Sequence, residues 1–240
     1  MEIKIKFIYF ILILCSYLFS FKSSEYKIKY FGINAAICKS SYTDTTITLI
    51  NPTNLDKKKT IQCIKIEYNV KSSGLFNKIY PIENSYITII DQEYNLIHFS
   101  KKTSQPKLTN LISTEPIGHD FYSKMELNYN NTTCTIPANV YNIFSLLYII
   151  ENNPQYLISK DIILLEKEGK LYHCNVLLSK NIYQLIFNEL DDTESILKNT
   201  DIFTWGIFID GSERYVDIES GEISKSTFKN KHISFTAVKN

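Results

Sequence analysis

The cysteines are the residues of this chain whose number and spacing could do the most chemistry. Beyond the first twenty residues, the sequence holds Cys38, Cys63, Cys134 and Cys174. Four thiols in an oxidising compartment could form two disulfides, in any of three pairings. Cys63 shares strand parity with polar residues and Cys174 with apolar ones, so we expect these two side chains to leave opposite faces of a sheet. Disulfides of unknown pairing and buried free thiols both stay open.

The histidines do not have the spacing of a metal site. None of His98, His119, His173 and His232 is paired at the four-residue spacing of a helical zinc site. His119 and Asp120 adjoin in a loop, but no nucleophile with a positioned base accompanies them. The chain also has no Gly-x-Ser-x-Gly elbow and no Gly-rich phosphate loop before a helix. We therefore expect no catalytic residues, no metal and no cofactor, and hence no enzyme.

The aromatic side chains and the single arginine point towards ligand binding. Aromatic residues make up 13% of the chain, and a curled sheet rich in tyrosine can enclose an apolar ligand while the hydroxyls find partners at the rim. Arg214 follows Asp210 and Glu213, so it could pin a hairpin through a carboxylate or act as a charged clamp at the mouth of a cavity. The candidate ligand-binding residues are Phe144, Leu147, Tyr148, Trp205 and Arg214.

The composition excludes several classes of protein. Hydrophobic residues at 44% and charged residues at 21% rule out an intrinsically disordered chain. The charge balance without residues 1–20 is 24 basic against 24 acidic side chains, since Glu2, Lys4 and Lys6 are removed from totals of 26 and 25. A neutral chain does not have the basic footprint of a nucleic-acid-binding protein, so we expect no nucleic-acid partner.

The N-terminal residues have the pattern of a secretory signal peptide. Lys4 and Lys6 precede an apolar run over residues 7–21, which is shorter than the ~20 residues of a spanning helix. We expect a signal peptide over residues 1–21, cleaved at about residues 20–24, and a single β-rich domain over residues 22–240. An uncleaved anchor and acylation at Cys15 are the alternatives. The mature chain should then lie in the periplasm or cell envelope, or outside the cell, without a transmembrane span.

The domain itself is dominated by alternation of apolar and polar residues, which is typical of half-buried strands. Tight turns between the segments favour antiparallel hairpins. The predicted strands include residues 158–166 and 202–209. The exception is Val140–Glu151, where apolar residues recur every three or four positions as in a helix capped by Asn139, and a short helical turn is predicted at Gly74–Tyr80. The predicted fold is mainly β: a curled antiparallel sheet or partly open β-barrel with one principal α-helix packed on its concave face.

The order of these segments resembles an exported bacterial family known as domain of unknown function 3108. The resemblance is carried by residues 26–33 (YKIKYFGI), 70–80 (VKSSGLFNKIY), 85–91 (SYITIID), 136–148 and 205–214 (WGIFIDGSER). Ala35 and Ala36 stand where the family has a small-Gly pair, Asn142 where it has Asp, and Tyr215 where Pro is common. The resemblance implies a curled, partly open barrel, and for residues 205–214 a late hairpin. It implies no activity.

The sequence therefore predicts a non-enzymatic exported protein of the cell envelope that binds an apolar or lipid-like ligand. The alternative is an assembly module without a small ligand, in which an exposed sheet edge pairs with a strand of an envelope protein.

Overall fold

The computed structural model describes residues 21–51, 54–117, 124–129, 132–137, 139–160 and 162–240 of the 240. The predicted signal peptide, with Cys15, lies outside the described residues except for Phe21. His119 and Asp120 also lie outside them. No helix within the described residues has the length and apolar composition to cross a bilayer.

Strands account for most of the described chain. They are β1 Phe21–Tyr30, β2 Ile33–Asn51, β3 Asn54–Ser72, β4 Glu83–Asp91, β5 Leu96–Gln105, β6 Leu108–Ile117, β7 Lys124–Tyr129, β8 Thr132–Pro137, β9 Ile163–Lys167, β10 Lys170–Ser179, β11 Ile182–Glu189, β12 Glu213–Glu219, β13 Glu222–Lys229 and β14 Ser234–Lys239. The helices are α1 Gly74–Ile79, α2 Ile143–Asn152, α3 Pro154–Ile158 and α4 Ile202–Phe208.

All of these strands belong to one antiparallel sheet. Its order is β8-β7-β6-β5-β4-β3-β2-β1-β14-β13-β12-β11-β10-β9, so β1 and β14, from the two ends of the domain, pair in the middle with Ile28 opposite Ala237. Almost every neighbour along the sheet is also a neighbour along the chain, because short turns join antiparallel strands. The predicted mainly β fold with a curled antiparallel sheet is confirmed.

The two edges of the sheet approach each other through the segment before α2. The Tyr141 amide donates to the Leu164 carbonyl at 2.9 Å, and the Glu166 amide donates to the Tyr141 carbonyl at 2.7 Å. Ile136 of β8 and Leu171 of β10 belong to one buried cluster. The sheet therefore curls until its two edge strands, β8 and β9, come close to each other. Buried side chains and one backbone bridge lie between them, and within the described residues β8 and β9 do not pair as strands.

Helix α2 is buried within this curl. Leu146, Ile149 and Ile150 are almost completely inaccessible to solvent, and each buried aliphatic side chain of this size contributes about 1.5–3 kcal/mol. The helix begins three residues later than predicted, because Asn142 and not Asn139 is its N-cap. The Asn142 side chain accepts from the Ser145 amide at 2.9 Å and donates to Thr88 Oγ1 of β4 at 2.9 Å, which fixes the start of the helix on the sheet.

Two predicted strands are wrong in whole or in part. Residues 202–208 form helix α4, because the Asp201 carboxylate accepts the amides of Phe203 and Thr204 at 3.0 Å, and such an N-cap outweighs the β preference of Ile and Phe. The resemblance to a late hairpin at residues 205–214 fails for the same reason. The strand predicted at residues 158–166 begins only at Ile163, since Pro154 starts the short helix α3. The helical turn at Gly74 is confirmed as α1.

Candidate functional site

A cavity of about 110 Å³ lies between α2, α4 and the concave face of the sheet. Phe144 and Leu147 reach it from α2, and Phe203 and Ile207 reach it from α4. Its surface is almost wholly hydrocarbon. The apolar side chains that the sheet contributes are Ile28, Cys38, Val70, Ile223, Phe228, Phe235 and Ala237, together with the rings of Tyr26, Tyr68 and Tyr86.

The α2 wall of the cavity is held by aromatic packing. The ring of Phe144 lies 5.0 Å from Tyr68 and 4.7 Å from Tyr86, centroid to centroid, and 6.3 Å from Phe99. Such tilted and stacked pairs add about 0.5–1.5 kcal/mol beyond their buried area. Because strands β3, β4 and β5 each supply one ring, the position of Phe144 follows from the register of the sheet.

The α4 wall depends on a close approach of helix and sheet. Phe203 and Phe235 have ring centroids 5.5 Å apart. Gly206 lies on the same side of the helix, and a Cβ atom at this position would come within 2.7 Å of the Phe235 ring. Only glycine therefore allows α4 to approach β14 so closely, and the cavity is the space left beside this contact.

A fully buried ionic cluster lies behind the α4 wall. Lys101 of β5 forms ion pairs with Glu168 and, at 2.5 Å, with Asp201 Oδ2, and all three side chains are at most 3% exposed. Burial opposes the charge of Lys101, but the attraction of Asp201 and Glu168 outweighs it and raises the pKa of the ammonium. Burial likewise opposes the charge of Asp201, but Lys101 lowers the pKa of this carboxylate. Lys101 and Asp201 therefore stay charged, and their ion pair anchors α4 on β5.

Two hydroxyls connect this cluster to the cavity wall. Tyr86 donates to Asp201 Oδ1 at 2.8 Å, and Thr204 donates to Asp201 Oδ2 at 2.6 Å. Tyr86 and Thr204 both line the cavity, but their hydroxyls are already bonded to the carboxylate. Burial and the charge of Asp201 raise the pKa of Tyr86 well above its usual value. The two hydroxyls at the cavity wall are therefore neutral, and each already uses its hydrogen in a bond to Asp201.

A second polar group lies at the far end of α2. Tyr42 donates to Glu151 Oε2 at 2.9 Å and lies 3.1 Å from the Tyr68 hydroxyl, while Lys22 binds Glu151 Oε1 at 3.0 Å. Glu151 is in the last turn of α2, where a carboxylate is unfavourable for the helix dipole, so Lys22 and Tyr42 compensate its charge. Burial raises the pKa of Tyr68 well above its usual value, which keeps this lining residue neutral.

The structure separates the five candidate ligand-binding residues. Phe144 and Leu147 line the cavity. Tyr148 lies on another face of α2, with its ring 4.9 Å from Tyr42 in an edge-to-face pair. Trp205 lies on α4 with 42% of its surface exposed and does not line the cavity.

The contacts of Arg214 fit neither of its predicted roles, a carboxylate pair within a hairpin or a charged clamp at the mouth of a cavity. Its guanidinium donates to the carbonyl oxygens of Ile207, Ile209 at 3.1 Å and Ser212 at 2.9 Å, and it lies 4.3 Å above the Phe187 ring. Burial lowers the pKa of Arg214 to about 10. Arg214 binds the carbonyls at and beyond the C-terminal end of α4; it neither pairs with Asp210 or Glu213 among the described ion pairs nor lines the cavity.

All four described cysteines are free thiols. Cys38 and Cys174 belong to the main core cluster, whereas Cys63 packs with Leu49 and Ile97 in a separate cluster, so the predicted difference in face between Cys63 and Cys174 is confirmed. Cys134 is half-buried on β8. Burial raises the pKa of Cys38 and of Cys174 to about 12, which keeps both sulfurs protonated and poorly nucleophilic.

Sequence reasoning missed Lys101, Glu168 and Asp201. A lysine in β5 could have been recognised, because Lys101 shares strand parity with Phe99 and Thr103 and must point to the same interior face. Glu168 and Asp201 lie in a turn and at a helix cap, where sequence parity says nothing about direction. Their partnership with Lys101 follows only from the curl of the sheet.

No family model matches the chain, and no curated protein matches it. Among solved structures, it is similar to the crystal structure of a β-barrel-like protein of domain of unknown function DUF1849 from Brucella abortus. The TM-score is 0.48 and the sequence identity 7%, and the alignment covers 91% of this chain and 95% of that one. The resemblance to domain of unknown function 3108 stays a prediction.

Proposed function

We propose that this protein is exported to the cell envelope, where it binds a small apolar group, such as the end of an acyl chain, in the cavity between α2 and α4 without catalysing a reaction. The observation that carries the proposal is the lining: α2, α4 and the sheet border a space whose walls are almost wholly hydrocarbon. Export rests on the signal-peptide pattern of residues 1–21, and the resemblance to the exported family 3108 agrees with it.

The size of the cavity limits its ligand. Pockets for drug-sized molecules have about 300–1,000 Å³, whereas this cavity has about 110 Å³. An engineered cavity of about 150 Å³ lined by Leu, Ile and Phe stays dry and binds benzene. A single ring or a short hydrocarbon segment is therefore the appropriate scale. A whole lipid would require α4 to move away from the sheet.

The chemistry of the wall favours hydrocarbon over charged ligands. The nearest charges, Lys101 and Asp201, neutralise each other behind the wall, and Tyr68 and Tyr86 are held neutral by burial. A charged group in this space would lose its hydration without gaining a partner. An apolar group would instead remove about 25 cal/mol of unfavourable hydration per Å² of its surface.

The same wall gives little support to catalysis. Cys38 is a thiol with a pKa of about 12, so it is not an available nucleophile. The Thr204 hydroxyl donates to Asp201, but no lining side chain is placed to take its proton during attack on a substrate. We therefore propose binding as the function of this site.

The test compares ligand binding by the wild type with binding by a variant whose cavity is filled by a larger side chain. Ala237 lines the cavity from β14, and its neighbour Val238 points to the other face of that strand. Ala237→Phe should fill the cavity and abolish binding of a fluorescent fatty-acid analogue, and native mass spectrometry should lose any co-purifying lipid. Val238→Phe, the matched control, should bind as the wild type. Equal binding by both variants, or by neither protein including the wild type, would refute the proposal.

The alternative function, pairing of a sheet edge with a partner strand, has weaker support. At one edge, Tyr141 already occupies the backbone groups of Leu164 and Glu166. At the other edge, a Cβ atom on Gly169 would lie 2.9 Å from Cys134 Sγ, so the β9–β10 turn packs against β8. A stoichiometric envelope protein recovered by pull-down, without lipid, would favour this alternative.

A further inference from the structure

An exposed apolar surface lies at the end of the sheet where β1 turns into β2. It consists of Phe31, Ile33, Leu75 and Ile79, which we call the apolar rim. These side chains are 54%, 71%, 71% and 72% exposed, respectively. Tyr30 joins the two halves of the rim, because its ring lies 4.8 Å from Phe31 and 6.1 Å from Phe76 of α1. Soluble surfaces carry single exposed apolar residues routinely, but a cluster of large ones marks an interaction site.

The backbone at the tip of this rim is unfavourable for the residue it carries. Phe31 has φ +46° and Gly32 φ +82°, which is the left-handed conformation of a two-residue hairpin turn. Asn or Asp is the usual choice at the first position, since a bulky side chain in this region is a steric outlier. Phe31 therefore keeps an unfavourable backbone conformation while about half of its surface stays in solvent, a conformation that Tyr94 also adopts in a turn.

The charges around the rim are mainly positive, although the chain as a whole is nearly neutral. The neighbouring turn before β12 adds two carboxylates, Asp210 and Glu213. The three segments that build this end, residues 29–35, 71–83 and 229–235, contain five lysines and a single carboxylate, Glu83. Lys71 lies 4.0 Å from Glu83, and Lys229 pairs with Glu213 at 3.1 Å. Lys29, Lys78 and Lys231 have no ion pair with any residue in the part of the chain that the structure describes.

The segments form one continuous surface. The Phe31 amide donates to the Ser234 carbonyl at 3.0 Å, and the Ser73 amide donates to the Ala35 carbonyl at 2.9 Å. The rim is also connected to the cavity, because the ring of Tyr30 lies 5.1 Å from Phe235, which lines it. An aromatic path thus leads from the exposed tip to the hydrocarbon interior.

We infer that the apolar rim docks this end of the barrel on the surface of a bilayer containing anionic lipids. Aromatic and aliphatic side chains that project beyond the backbone can enter the boundary between headgroups and acyl chains, while surrounding lysines contact anionic headgroups. A protein partner would have to match the same apolar tip with acidic groups around it, whereas an anionic bilayer supplies both features everywhere on its surface.

The test is co-sedimentation of the mature protein with vesicles of phosphatidylglycerol and phosphatidylcholine, compared with vesicles of phosphatidylcholine alone. We expect binding to the anionic vesicles, and salt should weaken it, because charges are screened over about 10 Å at 0.1 M. Phe31→Asn removes the ring but suits the turn, so the variant should melt no lower than the wild type and bind about tenfold more weakly. Lys78→Glu should reduce binding at least about fivefold.

The control is Leu178→Asn, which removes an exposed apolar side chain beside the β10–β11 turn, at the opposite end of the sheet, and should not change binding. The cavity variant Ala237→Phe should also bind vesicles normally, so that failure of the proposed function and failure of this inference can be distinguished. Absence of wild-type binding to anionic vesicles, or unchanged binding by Phe31→Asn, would overturn the inference. An envelope protein whose binding depends on Phe31, found together with a lack of binding to vesicles, would also overturn the inference.

Discussion

Gly206 of α4 lies directly against the ring of Phe235 on β14, so closely that a Cβ atom at position 206 would come within 2.7 Å of two ring carbons. Phe235 in turn lines the cavity. The distance between α4 and β14 therefore sets the position of one cavity wall. This distance can be so short because Gly206 has no Cβ atom.

Substitution of Gly206 by Ala should test this relationship. Alanine is favoured over glycine within helices by about 1 kcal/mol, but overpacking of a tight contact costs about 1–3 kcal/mol. We expect a net loss of free energy of unfolding in urea denaturation, together with weaker binding of the fatty-acid analogue as the ring moves into the cavity. In the Phe235→Leu background, Gly206→Ala should instead be neutral or stabilising. A single variant that is more stable and binds normally would contradict this account.

The buried cluster of Lys101, Glu168 and Asp201 predicts a large effect of removing its cation. Lys101→Met leaves two carboxylates in the interior without a counter-ion, and breaking a buried pair in this way costs about 3–5 kcal/mol. Urea denaturation at neutral pH measures the loss. The neighbouring Lys102 is exposed, so Lys102→Met should change the free energy of unfolding by less than about 0.5 kcal/mol.

Neutralising the acids should partly rescue that loss. When Glu168→Gln and Asp201→Asn are added to Lys101→Met, no charge remains in the cluster, and the triple variant should be more stable than Lys101→Met alone. If the single lysine variant unfolds at the same urea concentration as the wild type, the cluster does not anchor α4.

The environment of Arg214 distinguishes backbone binding from a carboxylate pair. Lysine keeps the charge but cannot reach three carbonyls with one planar group, so Arg214→Lys should lower the free energy of unfolding by about 2 kcal/mol. Glu213→Gln removes only an exposed partner of Lys229 and should cost less than about 0.5 kcal/mol. Thermal unfolding of both variants is the measurement. A larger effect of Glu213→Gln would restore the predicted carboxylate pair.

The sequence predicted those parts of the fold that depend on local periodicity. Alternation at Ile64, Ile66 and Tyr68 identified a strand with one buried face, and the helical spacing of Ile143, Leu147 and Ile150 identified α2. The strand predicted at residues 202–209 is a helix over Ile202–Phe208, and its five apolar residues fit either structure. The decisive group is the carboxylate of Asp201, one residue before the segment.

The candidate site could be predicted only in part, for a physical reason. Phe144 and Leu147 share the buried face of one helix, and helical spacing alone places them together. Lys101, Glu168 and Asp201 are separated by 67 and 33 residues along the chain and meet only because a sheet of fourteen strands curls until its edges touch. Curvature of this kind is the sum of many small twists and has no local signature.

Glu166 of β9 gives the fold a specific dependence on pH. It is 2% exposed, and its carboxylate accepts the Gly169 amide at 2.9 Å. Burial raises the pKa of Glu166 from 4.5 to about 7, and the charge of Glu168 adds to the shift. In the unfolded chain the carboxyl group ionises near its ordinary pKa. Between pH 4.5 and pH 7 the folded state therefore holds the proton more tightly, and its stability falls as the pH rises.

Glu166→Gln should remove this dependence. Each unit of pKa difference corresponds to 1.36 kcal/mol, so the wild type should lose about 3 kcal/mol at pH 8 relative to pH 4 from this group alone. Glutamine retains an oxygen that can accept the Gly169 amide, and it is isosteric with the protonated acid. The variant should thus match the wild type at pH 4 and exceed it by about 3 kcal/mol at pH 8, measured by urea denaturation at both values. Glu115→Gln on the exposed face of β6 should leave the difference between the two pH values unchanged. If Glu166→Gln is instead destabilising at pH 8, the folded protein stabilises the ionised carboxylate, for example through Lys101, whose charge opposes the rise in pKa, and burial does not raise the pKa of Glu166.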